Sequence, residues 1–370
     1  MRAIVVRPPK PGVELIDCPA PSRAAGPVRV TVLECGVCGT DRDIVNGKYG
    51  KPPEGSPFLI LGHENLGVVL AVDPSTAGFV PGDLVVATVR RGCGRCRFCS
   101  ANRSDFCETG GFTERGINGA HGYMTEEYVE SAEYLVRVPR PLRSVAVLLE
   151  PMSVVEKAIF QGQRVLDRKE PTPGHPRTEA PSALIAGTGA VGMLAALVLT
   201  MRGYRITAID RHGGDTPGVP LLARLGARHV NVATGFDALE GARFDLVIEA
   251  TGSVSADFSL IDHLGPNGVI VLTGIPDERE PPATVPGGQL FRDIVLGNQA
   301  IVGSVNANRT YFESGLRDMT VAEERWPGAL ESMITSRLPL DAAPEVFGSP
   351  RRGGVKTILR VRPTDVGPVP

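Results

Sequence analysis

The chain has no apolar run long enough to cross a bilayer. The longest, VGMLAALVLTM at residues 191–201, is about half the length a spanning helix requires. The opening MRAIVVRPPKPG lacks the charged-then-apolar pattern of a secretory signal. Both absences point to a cytoplasmic protein with reduced thiols. Charge of one sign is also missing. The formal net charge is −2 with 22% charged residues, so nothing global favours nucleic acid or an anionic membrane surface as a partner. No internal repeat is evident. A length of 370 residues exceeds one ordinary core and implies about two domains. Cysteine is scarce too, with seven in the chain, yet four of them fall within fifteen positions.

Those four are Cys93, Cys96, Cys99 and Cys107, spaced C-x2-C-x2-C-x7-C in RRGCGRCRFCSANRSDFC. Thiols so closely linked cannot all pair as disulfides without strain, but they can close a tetrahedron around one zinc ion. Such an ion contributes folding free energy to the loop that carries it. An iron–sulfur cluster also uses four thiolates. The longer last gap and the absence of a second cysteine run favour zinc. The interleaved arginines read as a solvated loop face, because no wider basic surface accompanies them.

A second set of metal-ligating side chains is dispersed. Cys38 lies in ECGVCGTDRDI, His63 and Glu64 in LGHENLGVV, and Glu150 in LLEPMSVVEKA. Three types of zinc ligand from separate segments suit an assembled catalytic site with an open position better than a closed structural one. His63 and Glu64 are adjacent, so on a regular strand they would face opposite sides. Gly62 permits a turn that would bring both to one metal. Cys35 reads as a buried strand-end thiol and Cys18 as inert.

The third feature is SALIAGTGAVGMLAALVLTMRGYRITAIDRH. An apolar strand at 183–186 leads into Gly187-x-Gly189-x-x-Gly192. A helix follows to about Arg202, and a second strand ends at Asp210. Strand, glycines, helix, strand and acid in that order are a dinucleotide-binding fingerprint. The glycines let backbone approach a pyrophosphate, and the helix start at Ala190 and Val191 offers it N–H groups. Asp210 can accept from a ribose hydroxyl and would repel a 2′-phosphate, which favours NAD. Arg211 and His212 follow at once, and either could pair with that phosphate, so NADP stays open. Strand and helix signals then alternate through FDLVIEATG, SADFSLIDHL, GVIVLTG and QAIVGSV, enough for a doubly wound parallel sheet. Thr251 and Gly274, at the turns ending two of these strands, join the cofactor-binding set. The proline-rich residues 168–182 read as an exposed loop, and the last nine residues as a frayed or strapping tail. The first 150 residues differ in texture. Short β-rich runs separated by glycine and proline turns predict an irregular antiparallel β domain carrying both metal sets.

Taken together, GVCGTD, GHENLGVV, the four-cysteine lobe, LLEPMSVVEKA and GTGAVG resemble the zinc-dependent medium-chain dehydrogenases. GVCGTDRDI, VRRGCGRCRFC, GFTERGINGAHGYMTEEYVE and VGSVNANRTYF resemble the archaeal-type glucose dehydrogenases among them. The resemblance implies a GroES-like domain over residues 1–155 and 307–370 and a Rossmann domain over 156–306, with the active site in the cleft between them. It implies one catalytic and one structural Zn2+, NAD or NADP, and a homodimer or homotetramer. Cys38 and His63 match catalytic zinc ligands. Glu64 and Glu150 match two carboxylates that coordinate directly, exchange or act through water. Thr40 matches the hydroxyl that passes the substrate proton outward. Glu114 and Asn306 match contacts to sugar hydroxyls. The implied reaction is hydride transfer from a secondary or hemiacetal alcohol of a sugar, polyol or cyclitol. The sequence departs from the pattern at Val89 and Gly297, where sugar-binding members often carry hydrogen-bonding side chains. Asp73 replaces a usual glycine. The alternative expectation is a zinc alcohol dehydrogenase acting on a specialised biosynthetic alcohol or ketone.

Overall fold

The computed structural model describes residues 1–22, 26–168, 179–211, 213–214, 216–277, 284–349 and 354–362. Most of the proline-rich loop, nearly all of the C-terminal tail, and His212 lie outside the described residues. No helix among those described is long and apolar enough to cross a membrane. The chain divides into two compact units, Met1–Ser153 with Asn306–Pro370, and Val154–Val305.

The first unit is organised around the Val28–Val37 strand, whose residues are buried at every position but one. VRVTVLECGV is nearly continuously apolar, as suits a strand covered on both faces. It pairs antiparallel with Glu64–Val72, Glu127–Glu130 and Lys356–Arg360. The register sets Gly36 opposite Glu64 on one side and Ile358 on the other. Val30, Val32, Leu59, Tyr123, Met124, Leu135 and Leu359 lie in one buried apolar cluster. The sheet is not wholly antiparallel. The returning Ile334–Pro339 strand pairs parallel with Lys356–Arg360, so the C-terminal segment completes the sheet that the N-terminal segment begins. The helices Arg309–Arg325 and Ala329–Met333 belong to this returning segment. A separate small sheet, Arg90–Arg91 with Thr113–Arg115 and Gly119–Ala120, flanks the cysteine lobe.

The second unit is a six-stranded sheet in the order Arg228–Asn231, Arg205–Asp210, Ser182–Ala186, Phe244–Glu249, Leu264–Leu272, Ala300–Gly303. Every pairing is parallel. In chain order this is 3-2-1-4-5-6, and ligands of such sheets bind at the carboxyl ends of the strands where the order reverses. The Ala190–Met201 helix starts beside that point and buries nine of its twelve residues. Gly203, with φ of 80°, follows its end as a left-handed cap. The Gly287–Gly297 helix was not read from the sequence. Its Leu290 and Ile294 pack on the core, while Phe291, Val295 and Leu296 are 67–72% exposed.

Candidate active site

The dispersed metal set converges. Gly62 has φ of 91°, and a Cβ there would stand 2.6 Å from Met124 Cγ and 2.7 Å from Cys35 Sγ. Only glycine fits both that backbone and that space. The bend it makes precedes the Glu64–Val72 strand, so His63 and Glu64 escape the alternation that would point them apart. Cys38 follows the end of the Val28–Val37 strand and caps the Gly39–Val45 helix. Donor atoms of Cys38, His63 and Glu64 all lie within 4.8 Å of one another.

Neighbouring groups hold these donors in place. Asp41 accepts from the Cys38 backbone N–H at 2.9 Å, and its other oxygen stands 3.3 Å from His63 Nδ1. That approach is too oblique for a hydrogen bond but close enough for charge pairing. Burial disfavours a charged imidazole, yet Asp41 and the Cys38 thiol override it and push His63 well above its usual pKa. The donor set therefore stabilises positive charge at its centre, as a divalent cation requires. A thiol, an imidazole and a carboxylate are a zinc-compatible set. Glu150 lies in the first turn of the Leu149–Leu166 helix and is buried. It falls outside the three-residue group, but shares its field. Burial pushes the Glu150 carboxyl up to about 7, with His63 and Lys356 opposing and Glu64 and Asp41 reinforcing. Thr40 is half-buried in the Gly39–Val45 helix, two positions past Cys38.

The four lobe cysteines also form one group within 4.8 Å, and none is in a disulfide. Cys96 caps the short Arg97–Ser100 helix, and its sulfur accepts from Cys99 N at 3.4 Å. Thr109 and the backbone at Arg95 and Cys96 draw Cys93 down to about 5, while burial pushes Cys99 up to about 12. The loop thus favours thiolate at Cys93 and the protonated thiol at Cys99. Arg103 lies over both Phe98 and Phe106, and Arg97 over Phe98, at 4.7–5.3 Å. Those rings take up arginines of the lobe.

Glu114 and Asn306 lie together, 192 positions apart in sequence. Asn306 Nδ2 donates to Glu114 Oε1 at 2.8 Å, and Arg90 donates to the same oxygen through Nε and Nη2 at 3.0 and 2.9 Å. Asn306 has φ of 57°, and its Oδ1 accepts from Ala307 N. Val89 is only 3% exposed. Gly297 ends an exposed helix in the second unit.

In the dinucleotide half, Gly187 has φ of 97° and Gly189 caps the Ala190–Met201 helix. A Cβ on Gly192 would stand 1.8 Å from Gly187 O, so the fingerprint's last glycine is required by close packing of turn and helix. Ala190 and Val191 form the first turn, where N–H groups lack helical acceptors. Asp210 is buried at its strand end, bonded by the Thr188 hydroxyl and 3.3 Å from His229 Nε2. Arg211 beside it is exposed. The backbone N–H groups of Thr251 and Gly274 both donate to the buried Glu249.

Comparison with known proteins accords with this geometry. The family described as Alcohol dehydrogenase GroES-like domain matches residues 24–140, and the one described as Glucose dehydrogenase C-terminus matches residues 143–361. The chain belongs to the glucose dehydrogenase family. Among its relatives, glucose 1-dehydrogenase of Methanocella arvoryzae is 40% identical over 93% of this chain and 95% of that protein. Glucose 1-dehydrogenase of Thermoproteus tenax is 40% identical over 98% of this chain and the whole of its own. Among solved structures, the Haloferax mediterranei glucose dehydrogenase in complex with NADP, Zn and gluconolactone superposes with a TM-score of 0.87. It is 31% identical, covering 98% of this chain and 100% of that one. This glucose dehydrogenase family member is accordingly a zinc-dependent NAD(P) oxidoreductase with a GroES-like and a Rossmann-type domain.

Four residues of the candidate site escaped the sequence reading. Asp41 carried a signal, because it stands three positions past the helix-capping Cys38 in the manner of a capping box. Arg90 was read with the other lobe arginines as part of a solvated face, but it is buried and donates to Glu114. Gly36 and Lys356 carried none at all. A Cβ on Gly36 would stand 1.9 Å from Glu64 Oε2, and Lys356 reaches Glu64 across 292 positions of sequence.

Proposed function

We propose that this member of the family oxidises an aldose at its hemiacetal carbon, passing hydride to NAD or NADP. The observation that carries this reading is the buried cluster of Cys38, His63 and Glu64 in a unit that also holds the Glu114–Asn306 pair. Cys38 and His63 would hold the catalytic zinc, with Glu64 and Glu150 as the carboxylates that join or leave it. Zinc bound there supplies Lewis acidity, lowering the pKa of a substrate hydroxyl. Thr40 accepts the proton released from that hydroxyl and hands it outward. Glu114 keeps Oε2 for a substrate hydroxyl, because Arg90 and Asn306 occupy Oε1. A polyhydroxyl ligand satisfies such groups, whereas an apolar alcohol would leave them without partners. Cys93, Cys96, Cys99 and Cys107 would hold the structural zinc. The relatives named glucose 1-dehydrogenase, and the structural neighbour with NADP, Zn and gluconolactone, support the same substrate class.

The glycine turn at Gly187–Gly192 and the helix start at Ala190 would take the pyrophosphate. Asp210 favours an unphosphorylated ribose, and Arg211 offers a partner to a 2′-phosphate. Exposed Phe291, Val295 and Leu296 support self-association as a homodimer or homotetramer, which light scattering would read directly.

The buried Val89 offers no hydrogen bond to a sugar. It favours, as second reading, a specialised alcohol with fewer hydroxyls. The deciding experiment follows nicotinamide absorbance with NAD and NADP in turn, against aldoses, polyols, cyclitols and simple alcohols. Aldose turnover supports the first reading. Turnover of simple alcohols alone overturns it in favour of the second.

A further inference from the structure

Glu249 is the last residue of the Phe244–Glu249 strand and is wholly buried. It stands where the strand order reverses, paired with Ala186 on one side and Leu272 on the other. Among the described residues no lysine, arginine or histidine pairs with it. A buried carboxylate without a cation is strongly disfavoured unless hydrogen bonds replace its hydration. Here four do. Oε1 accepts from Thr251 N at 2.5 Å, Thr251 Oγ1 at 2.6 Å and Gly252 N at 2.8 Å. Oε2 accepts from Gly274 N at 3.1 Å. One side chain thus ties together the turns that follow two adjacent strands.

The backbone closes the same knot. Thr273 donates to Glu249 O through both N and Oγ1. Gly252 has φ of 67°, and a Cβ there would meet Ile275 O at 2.8 Å. A Cβ on Gly274 would meet Gly252 N at 2.1 Å and Glu249 Oε2 at 2.7 Å. A Cβ on Gly187, the first glycine of the dinucleotide fingerprint, would stand 3.1 Å from Ala250 O. Three glycine turns at the carboxyl ends of three strands are therefore packed on one another around a single carboxylate.

This arrangement has a chemical consequence. Ala250 N donates to Ala186 O, Ser253 N to Thr251 Oγ1 and Thr273 N to Glu249 O. With the N–H groups of Thr251, Gly252 and Gly274 turned on Glu249, the backbone donors of residues 250–253 and of Thr273 and Gly274 are occupied. Those residues can offer a dinucleotide carbonyl oxygens and side chains. The pyrophosphate is left to the Gly187–Gly192 turn, and these turns suit a donor group of the cofactor.

We propose that Glu249 is a positioning residue for the nicotinamide dinucleotide, fixing both turns in the conformation that binds it. The proposal rests on the dehydrogenase reading above. It predicts that Glu249→Gln, which must set an amide NH2 against at least one of the N–H donors whichever way it is flipped, releases one turn. Cofactor affinity then falls.

The test uses the full-length, zinc-loaded protein. Dissociation constants for NADH and NADPH are measured by fluorescence with no sugar present, and KM for cofactor and for aldose, with kcat, by absorbance. The expected result for Glu249→Gln is about a tenfold rise in cofactor Kd and KM, equivalent to one lost hydrogen bond. Aldose KM and kcat at saturating cofactor should stay within about twofold. A folded variant with unchanged cofactor Kd, or one that loses kcat alone, overturns the proposal. If Glu249→Gln does not fold, Glu249→Asp reads the same contacts, because it keeps the carboxylate and draws its oxygens back from the two turns. It should raise cofactor Kd, and an unchanged Kd in folded Glu249→Asp overturns the proposal. Because binding is read without sugar, failure of the parent to oxidise aldoses would count against the substrate reading and not against this one.

Discussion

Lys356 Nζ lies 2.6 and 2.7 Å from the two carboxylate oxygens of Glu64, and both side chains are buried. Burial would strip the lysine of its charge, but Glu64 and Cys38 push its pKa up. The pair joins the strand that begins at Glu64 to the one that begins at Lys356, with Gly36 on the intervening strand making room for the carboxylate. In the metal-free protein, Lys356→Met should leave Glu64 buried without the ammonium that pairs with it, at a cost of about 3–5 kcal/mol. Urea unfolding of the two single variants and of Lys356→Met with Glu64→Gln would show it. The double variant should be less destabilised than the sum of the singles. Additive losses would mean that the two side chains do not act on one another.

Cys38→Ser and His63→Ala should abolish aldose oxidation while leaving the fold intact. Their donor atoms lie in the candidate three-residue metal group, and neither residue belongs to the apolar cluster of Val30, Leu59, Tyr123 and Met124. Circular dichroism should be unchanged, and zinc content should drop by about one equivalent per chain. Full activity in either variant would remove the metal-site assignment.

Legibility in the sequence was governed by range. The Ser182–Ala186 strand, the Ala190–Met201 helix and Asp210 are set by apolar periodicity and glycine placement within thirty residues, and they were readable. The adjacency of His63 and Glu64, with Gly62 before them, gave the turn. The Gly287–Gly297 helix was missed because its apolar residues cover two faces, Leu290 and Ile294 inward and Phe291, Val295 and Leu296 outward, which blurs the helical period. Lys356, Arg90 and Glu249 were missed for another reason. Each is an ionisable residue whose burial is decided by strand register, and register between distant segments leaves no local mark.

The lobe prediction separates structural from catalytic metal. Cys96 is buried and caps the Arg97–Ser100 helix, so Cys96→Ser removes both a proposed zinc ligand and the sulfur that accepts from Cys99 N. The expected result is loss of about one zinc equivalent and proteolysis focused on residues 93–107, because a loop of this kind folds on its metal. Unchanged zinc content together with unchanged proteolysis would overturn the structural-zinc assignment.

The last prediction concerns acid stability. Buried Glu130 lies between two half-buried guanidinium groups, contacting Arg91 and accepting from Arg115 at 2.8 and 3.1 Å. Burial pushes its carboxyl up, but Arg91 and Arg115 outweigh that and hold it below the usual range. A carboxyl whose pKa is lowered on folding contributes stability above its unfolded value, about 4.3 for glutamate, and loses it as pH falls through the folded value. Glu130→Gln should therefore be less stable than the parent at pH 7, by about 3 kcal/mol for a buried pair broken on one side. The gap should begin to close as pH drops below the unfolded value of about 4.3, and close fully only below the folded carboxyl's lower value. Chemical denaturation of both proteins between pH 7 and pH 3 would measure it. Parallel curves with a constant gap would show that Glu130 acts through shape and hydrogen bonding, and that its charge adds nothing.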